Sequence, residues 1–379
     1  MAAYIKRKNG IADKALLAEY VREQFKLTRD RTVYYSEHFA LRFSVSASNS
    51  FSNTVLSLST LRKYDERPFI VCLVTPNKNI LYMANSTFLQ KISHSSQDLR
   101  IDNIRGSFNG ADIMREFNGL KNSPENFEKL FAIHQKINFT DTLNRLVAAT
   151  TNIVPSGSKF EVSATQKACI LSAPERTLQF TKSNEYITLT SELNRRVNNC
   201  KDEILKAVSI ENVNIRGRVI EYLIIGEDEN VRGKLRDELR KHVGKPFQFE
   251  TKNELGDYTK FFDDYHTAVD VKTKKMVLKS SPKAYNIDKF LRFLSDEKSV
   301  FMFYFIGIRP NKIAGQALVS VFQTDLLNTT DIRKHWAGRN SRGVAQFHGE
   351  TIRELILKPN NDINIAASKK FLRYLITLV

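Results

Sequence analysis

Acids and lysines crowd into one stretch, GDYTKFFDDYHTAVDVKTK, at residues 256–274. Asp270 and Lys272 are two residues apart in a segment that alternates as a strand does, so their side chains share a face. Asp257 lies 13 positions before Asp270, across a two-residue turn near Asp263 and Asp264. That separation suits a hairpin bringing both carboxylates to one point. Two such carboxylates repel unless a cation lies between them, and hard oxygen ligands favour Mg²⁺. The Lys272 ammonium beside them can orient a water or stabilise a phosphorane-like transition state. In the competing reading Asp263, Asp264, Lys272, Lys274 and Lys275 form a solvated hairpin face, with Asp270 paired to a lysine. Against it, TAVDVKT sets its charges among β-branched residues and leads toward the apolar FMFYFIGI at 301–308, as a buried strand would.

The elements around this stretch read as a mixture of helix and strand. Before it, FEVSATQKACIL (160–171) and EYITLT (185–190) read as strands, and SELNRRVNNCKDEILKAV (191–208) as one long helix. Two shorter helices follow, separated near GEDEN at 226–230. After the hairpin, spacing predicts a helix over 286–296 and strands over 299–308 and 317–324. Towards the start of the chain, helices are expected over 12–27 and 123–137, with β-rich segments between them. There PNKN at 76–79 reads as a hairpin turn. The polar TTNIVPSGSK at 150–159 marks a boundary, dividing the chain into domains 1–152 and 153–379.

With 379 residues, each of these domains is large enough to bury its own core. No segment approaches the roughly 20 apolar residues of a membrane helix, and the first residues lack the apolar core of a secretion signal. A soluble cytoplasmic protein without a membrane partner is expected. Cys72, Cys169 and Cys200 lack CxxC spacing, which excludes a disulfide framework and a zinc site. No GxSxG, HExxH, GxGxxG or GxxxxGK[ST] occurs, which argues against serine hydrolases, zincins, dinucleotide enzymes and P-loop proteins. Lysine and arginine number 58 against 41 acids, a formal charge of +17. An excess of this size favours a polyanionic partner, because cations that neutralise phosphates release condensed counterions.

Asp257 followed by Asp270-Val271-Lys272 resembles the PD-(D/E)xK nuclease signature, with Gly256 where that family loosely keeps a proline. The overall arrangement resembles type II restriction endonucleases and covers roughly residues 190–330. It implies a restriction-endonuclease-like αβββαβ core within an α/β (mixed) fold, beside a separate N-terminal mixed α/β domain for recognition or accessory contacts. It also implies that Asp257, Asp270 and the Val271 carbonyl hold Mg²⁺ while Lys272 positions the attacking water. Glu221, on the helix of IRGRVIEYLI, would tune the site or ligate a second ion. The implied activity is hydrolysis of double-stranded DNA by a homodimer, leaving 5′-phosphate ends, with a cognate DNA methyltransferase as genetic partner. Asp263 or Asp264 could stand in for Asp257. Two rival functions fit the same residues: another nuclease of this family (modification-dependent, repair or junction-resolving), and a non-catalytic DNA-binding protein.

The stretch RKHWAGRNSRGVAQFHGE (333–350) holds side chains that read base edges and phosphates: His335, Arg339, Asn340, Ser341, Arg342 and Gln346. Its glycines suggest a loop able to enter a groove, with Trp336 as an anchor. Lys283, in KSSPKAY just after the hairpin, is placed to clamp a phosphate.

Overall fold

The computed structural model describes residues 1–45, 54–93, 106–154, 160–210, 213–241, 255–335, 339 and 341–379. The fold is mixed α/β, and the chain divides into two compact units: Met1–Ser158 with Lys334–Asn340, and Lys159–Arg333 with Ser341–Val379. Among the described residues no helix is long and apolar enough to cross a membrane. Cys72, Cys169 and Cys200 are free thiols.

The first unit is built on a five-stranded sheet whose order is Thr28–Asp30, Val33–Tyr35, Ala40–Val45, Phe69–Val74, Asn79–Met83. PNKN turns the last two strands into an antiparallel hairpin, with Val74 opposite Asn79. Phe69–Val74 is buried along its whole length because both faces are covered. Leu17 and Val21 of helix Lys14–Gln24 pack with Ile70 and Cys72 on one face, while Leu143 and Leu146 of helix Phe139–Thr151 pack with Phe69 and Val71 on the other.

The second unit opens with helices α1 (Ala164–Phe180), α2 (Asn184–Asn199), α3 (Lys201–Ala207), α4 (Val213–Ile225) and α5 (Glu229–Lys241). Two strands expected from sequence are therefore helical. Ser163 forms a capping box with Gln166, and Ser183 caps α2 by accepting from Tyr186 N–H. Leu189, Leu193 and Val197 then bury one face at helical spacing, which overrides the β-branched look of EYITLT. The long helix expected over 191–208 is broken at Cys200 into α2 and α3.

Strands β1 (Tyr258–Phe261), β2 (His266–Lys275) and β3 (Lys283–Asn286) come next, then α6 (Ile287–Leu294), β4 (Ser299–Arg309) and β5 (Lys312–Ser320). The chain continues with β6 (Asp331–Lys334), β7 (Gly343–Gln346), α7 (Gly349–Leu357) and α8 (Ile365–Thr377). The central sheet runs β1-β2-β4-β5, with β2 and β4 parallel and the other pairs antiparallel. Its inner strand β4 is buried from Ser299 to Ile308. Val269, Val271, Met302 and Tyr304 pack on α2 to α5, and Phe301, Phe303 and Phe305 pack on α1, α6, α7 and α8. Gly307 and Gly315 face each other beneath α7: a Cβ on Gly315 would lie 2.7 Å from the Ile356 carbonyl oxygen, so the bare backbone lets the helix settle on the sheet. Along the chain, α5, β1, β2, β3, α6 and β4 run in the order helix, three strands, helix, strand. However, β3 leaves the central sheet and pairs with β7 in a separate three-stranded sheet completed by β6.

Candidate active site

The hairpin closes through a two-residue turn with Asp263 and Asp264 at its tip, where Phe262 N–H donates to Tyr265 O at 2.7 Å. Both acids are exposed at the opposite end of the strands from Asp270, so neither can replace Asp257. Tyr258 pairs with Val269 and Phe261 with His266, which sets Asp257 opposite Asp270 one position beyond the end of β1. Asp257 is held there from both ends. Its N–H donates to Val269 O at 2.8 Å, and its Oδ2 accepts from Val271 N–H at 2.8 Å. Gly256 precedes it at φ +79°, a left-handed conformation closed to proline, whose φ is fixed near about −65°. The glycine at this position is thus a geometric requirement of the bend that presents Asp257.

Asp270 is only 8% exposed, and Lys272 Nζ lies 2.5 Å from its Oδ2. That contact ties the buried Asp270 Oδ2 to the Lys272 ammonium. Burial pushes the Asp270 carboxyl up to about 7; the Lys272 ammonium pulls it down, and Asp257, in hydrogen-bonding reach, pushes it up again. For Lys272 burial works to lower the pKa, but Asp270 and Asp257 outweigh it, with a further contribution from Glu221 on α4, and hold the ammonium above its ordinary value. Glu221 is half-buried, on a helix anchored through Val219, Ile220, Leu223 and Ile224. The four residues expected to form the site are therefore electrostatically coupled.

This donor set fits Mg²⁺. The buried Asp270 carboxylate sits beside a second carboxylate that raises its pKa, an arrangement that a divalent cation relieves. The N–H and C=O of a strand residue point to the same side, so the Val271 carbonyl faces the open edge where its N–H meets Asp257. Among the described residues no three His, Cys, Asp or Glu side chains gather into a closed cage. Mg²⁺ does not require one, because it keeps several waters and takes one or two carboxylates together with substrate phosphates.

One cluster beside the hairpin was not singled out from sequence. Glu192 of α2 accepts from Tyr258 Oη at 2.8 Å and from Arg196 Nη2 at 2.7 Å, and it also pairs with Lys260 Nζ. It thereby clamps β1, the strand that follows Asp257. Burial opposes ionisation of Glu192, yet these donors outweigh it and bring the carboxyl down to about 2. The available signals were the i,i+4 spacing of Glu192 and Arg196 and the alternation that puts Tyr258 and Lys260 on one face.

The residues expected to touch DNA are placed in different settings. Arg339 is exposed. Asn340 and Trp336 lie outside the described residues. Arg342 is tied into the fold: its guanidinium meets Asp288 Oδ1 at 2.7 Å and Phe160 O at 2.5 Å, and its N–H donates to Asp288 Oδ2 at 2.7 Å. That pairing gives Arg342 a structural role in holding Asp288. Ser341 Oγ donates to Gly343 O at 3.2 Å, and His335 is half-buried. The expected loop is partly regular structure, since Gly343 opens β7 and Gly349 opens α7. Gln346 pairs with the exposed Lys283 across β7 and β3, and its Nε2 donates to Ser281 O at 2.6 Å.

No protein-family model matches this sequence, and no curated protein matches it.

Proposed function

We propose that this chain is a Mg²⁺-dependent endodeoxyribonuclease of the PD-(D/E)xK type, cutting double-stranded DNA as type II restriction enzymes do. The observation that carries the reading is the convergence of Asp257, Asp270 and Lys272, with the Asp270 carboxylate buried between a second acid and the Lys272 ammonium. A formal charge of +17 supports a polyphosphate substrate.

Asp257, Asp270 and the Val271 carbonyl would hold the metal, and Glu221 would tune its surroundings. When bound, Mg²⁺ offsets the negative charge that builds on the phosphoryl oxygens. Lys272, kept protonated by its acidic neighbours, donates a hydrogen bond to the attacking water and holds it in line with the 3′ oxygen. Water adds to phosphorus as the bond to the 3′ oxygen breaks, leaving a 5′ phosphate and a 3′ hydroxyl. Cutting both strands calls for two such sites, which a homodimer supplies. In this reading residues 153–379 carry the nuclease, residues 1–152 contribute recognition or accessory contacts, and the protein works in the cytoplasm beside a cognate DNA methyltransferase.

Unmethylated phage DNA incubated with the purified protein and Mg²⁺ should yield discrete fragments. Asp270→Ala and Lys272→Ala should each abolish cutting while leaving DNA binding largely intact. Cleavage retained by either variant overturns the site. A wild type inert on many DNA sequences would favour a non-catalytic binding protein, and cutting confined to branched or modified DNA would favour another nuclease role.

A further inference from the structure

The hairpin carries a second feature on the face that bears Asp257 and Asp270. Ladder pairs Thr259 with Ala268 and Phe261 with His266 continue that face toward the turn. There a cavity of about 590 Å³ is lined by Thr259, Phe261, His266, Lys289, Arg292 and Phe293. Phe261 is 70% exposed although it is a large apolar side chain, and its ring stacks on His266 at 4.1 Å with 29° between the planes. On the other wall, Lys289 and Arg292 are one turn apart on α6, and the Arg292 guanidinium is steadied over the Phe160 ring at 5.2 Å. His266 is four residues from Asp270 along β2, roughly 13 Å away at the usual rise of a strand. That distance is within reach of a nucleotide or two along a DNA strand.

We infer that this cavity receives one unpaired nucleotide of the DNA strand being cut, its base stacked on Phe261 and its phosphate held by Arg292 and Lys289. The inference rests on the DNA-cleaving reading for its choice of substrate and adds a requirement to it. An exposed aromatic face backed by a second ring, facing two cations across a cavity, complements a flat base joined to a phosphate. A base within a duplex has both faces covered by its neighbours and cannot stack on Phe261 until it leaves the helix. The cavity therefore selects DNA that is flipped, bulged or single-stranded next to the cleaved phosphate.

The test is equilibrium binding, by fluorescence anisotropy in EDTA, of a labelled duplex carrying one unpaired nucleotide and of the matched, fully paired duplex. The full chain is compared with its Phe261→Ala, Phe261→Trp and Arg292→Ala variants. The wild type should prefer the bulged duplex. Phe261→Ala should weaken bulged-duplex binding by about 5- to 100-fold and leave the paired duplex unchanged. Phe261→Trp should restore the preference, and Arg292→Ala should reduce it. Because Phe261 lies outside the core, its truncation should leave the melting temperature unchanged. A wild type without preference, or equal weakening of both duplexes by Phe261→Ala, overturns the inference. The readout is independent of cutting. Phe261-dependent preference in a protein that cleaves nothing sinks the nuclease reading alone; a cleaving protein indifferent to Phe261 sinks the nucleotide site alone.

Discussion

Asp257 stands opposite Asp270 across the hairpin, one position past the last paired residues, with its Oδ2 fixed by the Val271 N–H at 2.8 Å. The carboxylate that is free to move in sequence terms is thus locked by the backbone of the strand carrying its partner. The pair has a cost. A buried acid raised to about 7 beside a second acid, even with the Lys272 ammonium against it, is a destabilising arrangement until a metal ion binds.

Asp270 should therefore make metal-free stability fall as pH rises. The unfolded carboxyl titrates near its ordinary value of about 4. The folded one titrates near about 7, so between these values the folded state binds more protons and loses stability as they leave. Asp270→Asn should remove that slope and leave the protein on the order of 2 kcal/mol more stable at neutral pH and above. Melting temperatures in EDTA across this pH range check it, and an unchanged slope in the variant contradicts it.

Glu192 should contribute in the opposite sense. Its folded pKa is depressed to about 2, so its stabilisation is present above its ordinary titration range and disappears as pH falls through about 2. Glu192→Gln should cost about 1–3 kcal/mol at neutral pH, because Lys260, Tyr258 and Arg196 lose a charged acceptor. The gap between variant and wild type should close on acidification. DNA cutting should drop as well, since β1 leads directly from Asp257.

Arg342 and Arg339 should separate stability from binding. Arg342→Ala leaves Asp288 buried without its partner and should cost about 3 kcal/mol or more in chemical denaturation. Arg339 is exposed, so Arg339→Ala should leave denaturation unchanged while weakening DNA binding and lowering its salt dependence. Equal loss of stability in both variants would contradict this division.

Gly315→Ala should destabilise the second unit by about 1–3 kcal/mol, because the added methyl meets the Ile356 carbonyl oxygen at 2.7 Å and α7 must lift from the sheet. A lower midpoint in urea with an unchanged slope is the expected result. The same substitution at half-buried Gly217 in helix α4, where an added Cβ meets nothing within 4 Å, should instead be neutral or slightly stabilising.

The hairpin was legible because its information is local. A two-residue turn and strict alternation set the register of Asp257 against Asp270 within the stretch 256–274, and a slip of one residue would have turned Asp270 and Lys272 to the opposite face. Helix α6 and strand β4 were legible for the same reason, one as a helical-period pattern and the other as an unbroken apolar run. Segments 160–171 and 185–190 were misread because β-branched residues favour strand locally, while α1 and α2 are decided by caps and by burial against a distant sheet. Arg342 reads as a free cation until its partner, 54 positions away in sequence, is brought beside it. Glu192 and Lys260 are 68 positions apart, and only the packing of α2 on the hairpin joins them. By itself the amino-acid sequence determined which residues could share a strand face. The tertiary structure decided which of them are buried, and burial is what turns a carboxylate and a lysine into a site.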